Sequence, residues 1–335
     1  TTSFVINAKR QLSPLRLRST LLLLSSFTLP RAFSFTATVA SELSCKTGSS
    51  KSSLRQPVMS FKKVADSSLF VSEPNPMWFG NGPNEKGNPN WTNANWLKSR
   101  FHFSFAEYTN SANSNFGVLR VMNDDLVQPA RGFGEHPHRE MEICTYVVEG
   151  DLTHQDSMGN GESLGRGSIQ FMTAGTGVMH QEHNKHPTNP LRFIQMWIVP
   201  ASRGLKPNYG SMCGDKVKSA RQNAWAHLVS DVKNAGAQTP VKINQDANMH
   251  VTELEPSRSL DLKINAGRQA YLLCVEGSAE VSGEGLKEAL SQHDAAELVG
   301  PAEFKFTAGP KAAHLLVVEM KGQGEDSRFK GARFG

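Results

Sequence analysis

From Trp96 onward, short apolar runs alternate with polar, turn-forming spacers. Phe101–Phe105, Gly117–Met122, Glu142–Val148, Ser168–Met172 and Phe193–Val199 are rich in Val, Ile, Phe, Tyr and Trp, and the segments between them contain Gly, Asn, Asp and Pro. Runs of this length, bounded by turn residues, predict strands. No long segment with a 3.6-residue period competes with them. A second series follows at Val241–Ile243, His250–Leu254, Leu260–Ile264, Ala270–Val275, Ala279–Val281 and Ala313–Met320. The pattern predicts an all-β architecture of barrels or sandwiches.

The two series echo one another. Tyr146-Val147-Val148-Glu149-Gly150 is matched by Leu273-Cys274-Val275-Glu276-Gly277, and Thr173-Ala174-Gly175 by Thr307-Ala308-Gly309. Two copies of one barrel are therefore expected, over residues 96–200 and 241–322. Residues 59–95 are rich in Asn, Gly and Pro and read as an irregular lead-in. Residues 201–240 are polar and turn-rich and read as a connection, with a short helix near Arg221–Val232. A polar tail occupies 323–335.

Charge separates the first 58 residues or so from the rest. The chain of 335 residues carries a net charge of +5, yet residues 1–60 hold eight basic residues against the single acid Glu42, together with 20 Ser or Thr. The remainder is slightly acidic and contains all 11 histidines. The basic character thus belongs to the leader, and a general polyanion-binding body is excluded, so no direct nucleic-acid contact is expected. The leader composition fits an organelle transit peptide for a plastid or mitochondrion. Met59 offers the other reading, a translation start that leaves 1–58 as upstream sequence and the protein in cytoplasm or nucleus. The longest purely aliphatic run, Leu21–Leu24, is too short to span a bilayer. Cys45, Cys144, Cys213 and Cys274 form no CxxC pair, which suits reduced thiols.

The chemistry concentrates in two segments. Gly132-Phe133-Gly134-Glu135-His136-Pro137-His138 places two histidines at i and i+2, which share one face of a strand. Thr173-Ala174-Gly175-Thr176-Gly177-Val178-Met179-His180-Gln181-Glu182 repeats that spacing with His180 and Glu182. Two strands, each giving two inward ligands, make a site of three imidazoles and one carboxylate. Such a donor set suits Fe(II), Mn(II), Ni(II), Cu(II) or Zn(II).

The run Gly132–Gly150, followed by Gly167–Glu182, resembles the two cupin motifs in the form used by the pirin family. The stretches Trp96–Phe105, Leu119–Asp125, His154–Asn160 and Gln195–Pro200 belong to the same pattern, so the resemblance covers roughly Trp96–Met320. It implies two tandem cupin barrels of jelly-roll type, a bicupin, with metal in the N-terminal barrel alone. It also implies iron as the usual metal, with His136, His138, His180 and Glu182 as ligands. Glu142 stands at the carboxylate position of the general cupin motif, where it either supports the ligands or joins them. His154 and Asp156 either orient ligands or close a turn, and His183 and His186 are expected at the surface. In the second barrel the matching positions are Lys263, Asn265 and Gln269, while His314 stands without a following carboxylate because Leu316 occupies that place. The second barrel is therefore expected to be structural.

Two functions follow from the resemblance. One is Fe(II)-dependent ring-opening of a flavonol such as quercetin with dioxygen, with Glu182 also accepting a substrate proton. Phe133, Met141, Met172 and Met179 then line a pocket for a flat phenol or fill the barrel core. The other is a non-catalytic, redox-sensitive iron protein that binds a protein partner as a transcriptional co-regulator. A monomer is expected in either case.

Overall fold

The computed structural model describes residues 60–82, 95–283 and 285–322. The leader 1–58 and the tail 323–335 lie outside the described residues. The lead-in holds β1 (Phe61–Val64) and β2 (Phe70–Ser72). Next come β3 (Leu97–Phe101), β4 (Leu119–Val127), β5 (Arg131–His138), β6 (Glu142–Glu149), β7 (Leu152–Asp156), β8 (Gly161–Leu164), β9 (Ile169–Thr173), β10 (Val178–Asn184) and β11 (Leu191–Ile198). The second half contains β12 (Asn208–Met212), β13 (Ala226–Asp231), β14 (Val241–Ile243), β15 (Ala247–Leu254), β16 (Ser259–Ile264), β17 (Arg268–Gly283), β18 (Leu286–Ser291), β19 (Ala295–Val299) and β20 (Ala302–Lys321).

The first barrel is a sandwich of two sheets. One has the order β12-β9-β6-β11-β4-β3-β2, the other β5-β10-β7-β8. Trp96, Val147, Leu152, Leu191 and Phe193 fill one end of the space between them. Met141, Ile143, Met172 and Val178 form a smaller apolar cluster. Each such side chain contributes about 1.5–3 kcal/mol by leaving water. In the second barrel a single path, β1-β19-β17-β20-β15-β13-β14, carries β16 on β20 and β18 on β17. The long strands β17 and β20 serve two layers because their ladder shifts register between Cys274 and Glu276 and between Gly277 and Ala279. Such bulges bend a strand and let it turn a barrel corner.

The barrels join sheet to sheet. Leu119, Met122, Tyr146, Ile194 and Met196 from the first pack with Met249, Val251, Tyr271, Leu316 and Val318 from the second in one apolar cluster. A polar clamp crosses the same boundary. Arg192 forks onto Asp124 at 2.8 and 2.7 Å and donates to the Val275 carbonyl, while His293 reaches Asp124 at 2.7 Å. Of the cysteines described, Cys144 and Cys274 are buried, Cys213 is exposed, and all are unbridged.

Three expectations about local structure change. The helix near Arg221–Val232 is a strand: β13 pairs with β15 and, in parallel, with β14. Among the described residues α-helix is confined to one turn at Lys218–Arg221, designated α1, which a 3-10 turn at Gly214–Val217 precedes. Ala226, Leu228, Val229 and Ser230 are buried, so β13 has cover on both faces, and tertiary burial overrides its weak local preference. The polar connection 201–240 also contributes β12, which extends the first barrel beside β9. The lead-in is not wholly irregular either. Its β1 pairs with β19 of the second barrel and its β2 with β3 of the first, so it straps both.

The repeat is physical at one of its two echoes. Gly150 and Gly277 both have left-handed backbones, with φ of 74° and 72°. A Cβ at either would sit 2.5 or 2.3 Å from a facing carbonyl oxygen, of Pro190 and Ala312 respectively. Only glycine fits both demands. The other echo fails: Gly175 is left-handed, with φ of 45°, whereas Gly309 lies inside the extended β20.

Candidate metal centre

Strand pairing assembles the site. In the β5–β10 ladder His136 lies opposite His180 and His138 opposite Val178. On the other flank of β10, β7 places His154 opposite Glu182 and Asp156 opposite His180. Opposed residues, and residues two apart along one strand, share a face. His136, His138, His180, Glu182, His154 and Asp156 thus belong to one face of the four-stranded sheet. Pro137 is tolerated between the two histidines because β5 is an edge strand. Gly132 lets β5 approach β10 closely: a Cβ there would stand 2.4 Å from the Glu182 carbonyl oxygen and 2.6 Å from the His183 Cα.

Three imidazoles form a nearly equilateral triangle. Ring centroids lie 4.8 Å apart for His136–His138, 4.6 Å for His136–His180 and 4.8 Å for His138–His180. Ligand atoms of these three fall within 4.8 Å of one another, and so do those of His154, His180 and Glu182. His136 donates from Nδ1 to the Gly134 carbonyl at 2.7 Å, which leaves the Nε2 lone pair free. His180 is buried, and neither of its ring nitrogens has a hydrogen-bond partner. Burial, then the neighbouring His136, holds the His138 imidazole down to about 3. His180 is lowered too, by burial first and then by His136, His138 and His154. His138 and His180 are therefore neutral at ordinary pH and offer lone pairs rather than protons.

Glu182 is fixed from the facing sheet. It accepts from Gln170 Nε2 at 2.7 Å on one oxygen and from Gln195 Nε2 at 2.8 Å on the other, and Thr145 donates to Gln195 at 2.7 Å. Gln195, Thr145 and Gln170 lie directly opposite one another on β11, β6 and β9. They make a polar row across the sheet, with Gln170 and Gln195 donating to one carboxylate. Burial raises the Glu182 carboxyl above its usual range. Tyr209 on β12 donates to Glu162 Oε1 at 2.6 Å, lies 3.1 Å from Gln170 Oε1 and stacks on His154 with ring centroids 4.5 Å apart. His154 in turn bonds Asp156 through Nε2 at 3.1 Å, and its buried Nδ1 has no partner.

The residues present fit a divalent transition metal. Both nitrogens of a buried imidazole lack partners, two other imidazoles stand beside it, and a hydrogen-bonded carboxylate lies on the same strand. Residues 85–198 match a family model described as Pirin, and 227–320 match one described as quercetinase C-terminal cupin domain. A quercetin 2,3-dioxygenase of Escherichia coli is 38% identical over 200 residues, 60% of this chain and 82% of that protein. A pirin-like protein of Caulobacter vibrioides is 36% identical over 222 residues, 66% of this chain and 92% of its own. The chain belongs to the pirin family. The crystal structure of a bacterial pirin, YhhW of Escherichia coli in complex with nickel(II), superimposes with a TM-score of 0.63 at 29% identity, covering 78% of this chain and all of that one.

In this pirin the remaining sequence candidates separate cleanly. Glu142 turns away from the histidines and accepts from Thr173 at 2.8 Å and from Asn244 at 3.1 Å. His186 closes a turn, its Nδ1 accepting from the Asn189 N–H at 2.9 Å. His183 is half-buried on β10 and, like His186, stands outside both ligand groups among the described residues. His314 sits at the barrel boundary, between the Tyr146 hydroxyl at 3.0 Å and Glu276 at 2.7 Å. Lys263 and Asn265 are exposed and Gln269 is buried, and among the described residues the second barrel assembles no ligand group. Spacing alone singled out His136, His138, His180 and Glu182, and the fold brings them together. It left His154 between two roles, although cross-strand pairing puts it within ligand reach. It missed Gln170, Gln195, Thr145 and Tyr209. For Thr145, Gln170 and Gln195 the available signal was a polar residue inside the apolar runs Glu142–Val148, Ser168–Met172 and Phe193–Val199.

A cavity of about 1170 Å³ opens beside the site. His138, Trp197, Phe105, Met141, Met179 and Arg120 are among its walls. Trp197 packs edge-on against His138 at 4.8 Å and against Phe105 at 5.3 Å. Met141 and Met179 line this cavity while Phe133 and Met172 do not, and Met141 also packs in the buried cluster that holds Met172.

Proposed function

We propose that the protein is a metal-dependent dioxygenase that opens the central ring of a flavonol such as quercetin, with His136, His138, His180 and Glu182 holding Fe(II). The observation that supports this reading is the triangle of imidazoles beside a hydrogen-bonded carboxylate, with one of its members, His138, lining a cavity large enough for a flat polyphenol. When bound, the metal would supply a Lewis acid for the substrate hydroxyl.

The chain's own residues do the rest. Trp197 and Phe105 offer aromatic walls for the substrate rings. Gln170 and Gln195 hold the Glu182 carboxylate in one orientation, so that no reorganisation is needed at reaction. On this reading Glu182 also accepts the substrate hydroxyl proton. The test is oxygen uptake and carbon monoxide release by the Fe(II)-reconstituted protein with quercetin, beside Glu182→Ala. Uptake that vanishes in the variant is the expected result. No uptake by protein of full iron content overturns the reading and favours a redox-sensitive binding protein.

A further inference from the structure

The cavity beside the metal site is more cationic than a site for a neutral polyphenol requires. Its walls carry three guanidinium groups, Arg120, Arg139 and Arg203, against one carboxylate, Glu140. Both Glu140 oxygens are engaged by the backbone N–H of Gly204, at 3.1 and 3.2 Å. Arg139 and Arg203 are exposed, and their charges are largely met by water. Arg120 differs. It is half-buried on β4, and its one hydrogen bond among the described residues runs from Nη1 to the Ser104 carbonyl at 2.6 Å. No carboxylate stands within ion-pair reach of it in the described structure. Burial is the influence that acts on its charge, lowering its hold on the proton.

Buried arginines elsewhere in this molecule are paired. Arg192 forks onto Asp124, and the largely buried Arg221 meets Glu253 at 3.3 Å. Withdrawing a guanidinium from water costs free energy that such a partner offsets. At Arg120 the partner is missing, while the planar fork is built to take a carboxylate on two parallel N–H groups. The apolar and aromatic walls Trp197, Phe105 and Met141 occupy the same cavity.

We infer that Arg120 is the anion-recognising residue of this cavity, and that its preferred ligand is a planar aromatic acid, with the ring against Trp197 and the anionic group on the Arg120 fork. This deepens the reading of the cavity as the substrate site and rests on it. Arg139 and Arg203 act at longer range, raising the local concentration of anions at the mouth.

The test is calorimetric binding under anaerobic conditions to the full chain loaded with Fe(II), which separates recognition from turnover. The probes are 4-coumarate and its methyl ester, which match in ring and size and differ in charge. Wild type should bind the acid about tenfold more tightly than the ester, the size expected of one charge-assisted pair. Arg120→Gln should bring the two within about twofold of each other with iron content unchanged, and Arg120→Lys should keep most of the preference. Arg139→Gln and Arg203→Gln should cost about threefold or less and lose even that at high salt. Equal binding of acid and ester by wild type overturns the inference, as does a preference that survives Arg120→Gln, which would place the carboxylate on the metal. Binding of neither probe overturns it as well. None of these results touches the quercetin assay, which stands or falls on oxygen uptake.

Discussion

At the scale of single residues, the site rests on side chains that never touch a metal. Glu182 is buried and would be free to rotate were it not held by two amides from the opposite sheet. Gln195 is itself oriented by Thr145, which donates to its Oε1 and so presents Nε2 to the carboxylate. Removing that amide leaves one carboxylate oxygen without its main partner and loosens the ligand. Partners of this kind typically account for 10–100-fold in metal affinity. Gln195→Ala should therefore weaken metal binding by about that factor, as read by competition with a chromogenic chelator. Gln195→Glu should be worse, because it sets a second carboxylate against Glu182 in a buried space. If both variants bind metal as wild type does, the polar row is incidental to the site.

At the scale of elements, the ladder between β5 and β10 carries the geometry, and its spacing depends on Gly132. A methyl group there has no room: the nearest atoms belong to the backbone of Glu182 and His183, which cannot swing aside as a flexible side chain can. Gly132→Ala should push β5 outward, shifting His136 and His138 away from His180. The expected cost is about 1–3 kcal/mol of stability, measured by denaturant unfolding, together with a metal content that falls further than stability alone explains. The same element shows why sequence reading worked where it did. An i, i+2 pair on an extended strand fixes a face whatever the partner, so His136, His138, His180 and Glu182 were legible. The pairing register was not, because it depends on the bulge between His180 and Glu182 and on the neighbour β7, which brings in His154. Strand β13 was hidden for a related reason. Trp225-Ala226-His227-Leu228-Val229-Ser230 has no clear two-residue alternation, since both of its faces find cover. Unpaired Arg120 was invisible to pattern, because lacking a partner is a property of three-dimensional neighbours.

At the scale of the whole molecule, the two barrels are joined through an apolar face that also encloses a titratable group. His102 follows β3 and is buried against the second barrel, where its Nδ1 meets the Tyr271 hydroxyl at 3.0 Å while its Nε2 has no partner. Burial drives its pKa down to about 4, with Asp124 opposing and His293 assisting. The folded protein therefore prefers a neutral ring that the unfolded chain protonates near pH 6.5. A group lowered in this way leaves stability fully present above the unfolded value. Stability is then lost as pH falls from 6.5 towards 4, where the folded state begins to take the proton too. A shift of that size corresponds to about 3 kcal/mol across the window. The site imidazoles His138 and His180 act with the same sign, so the share of His102 is the difference between wild type and His102→Asn. That variant keeps a polar partner for Tyr271 and has nothing to titrate. Thermal midpoints taken from pH 7 to pH 4 should fall less steeply for His102→Asn than for wild type. Parallel curves would mean that the barrel boundary opens to water before the ring is protonated, and that the two barrels separate, rather than unfold together, in acid.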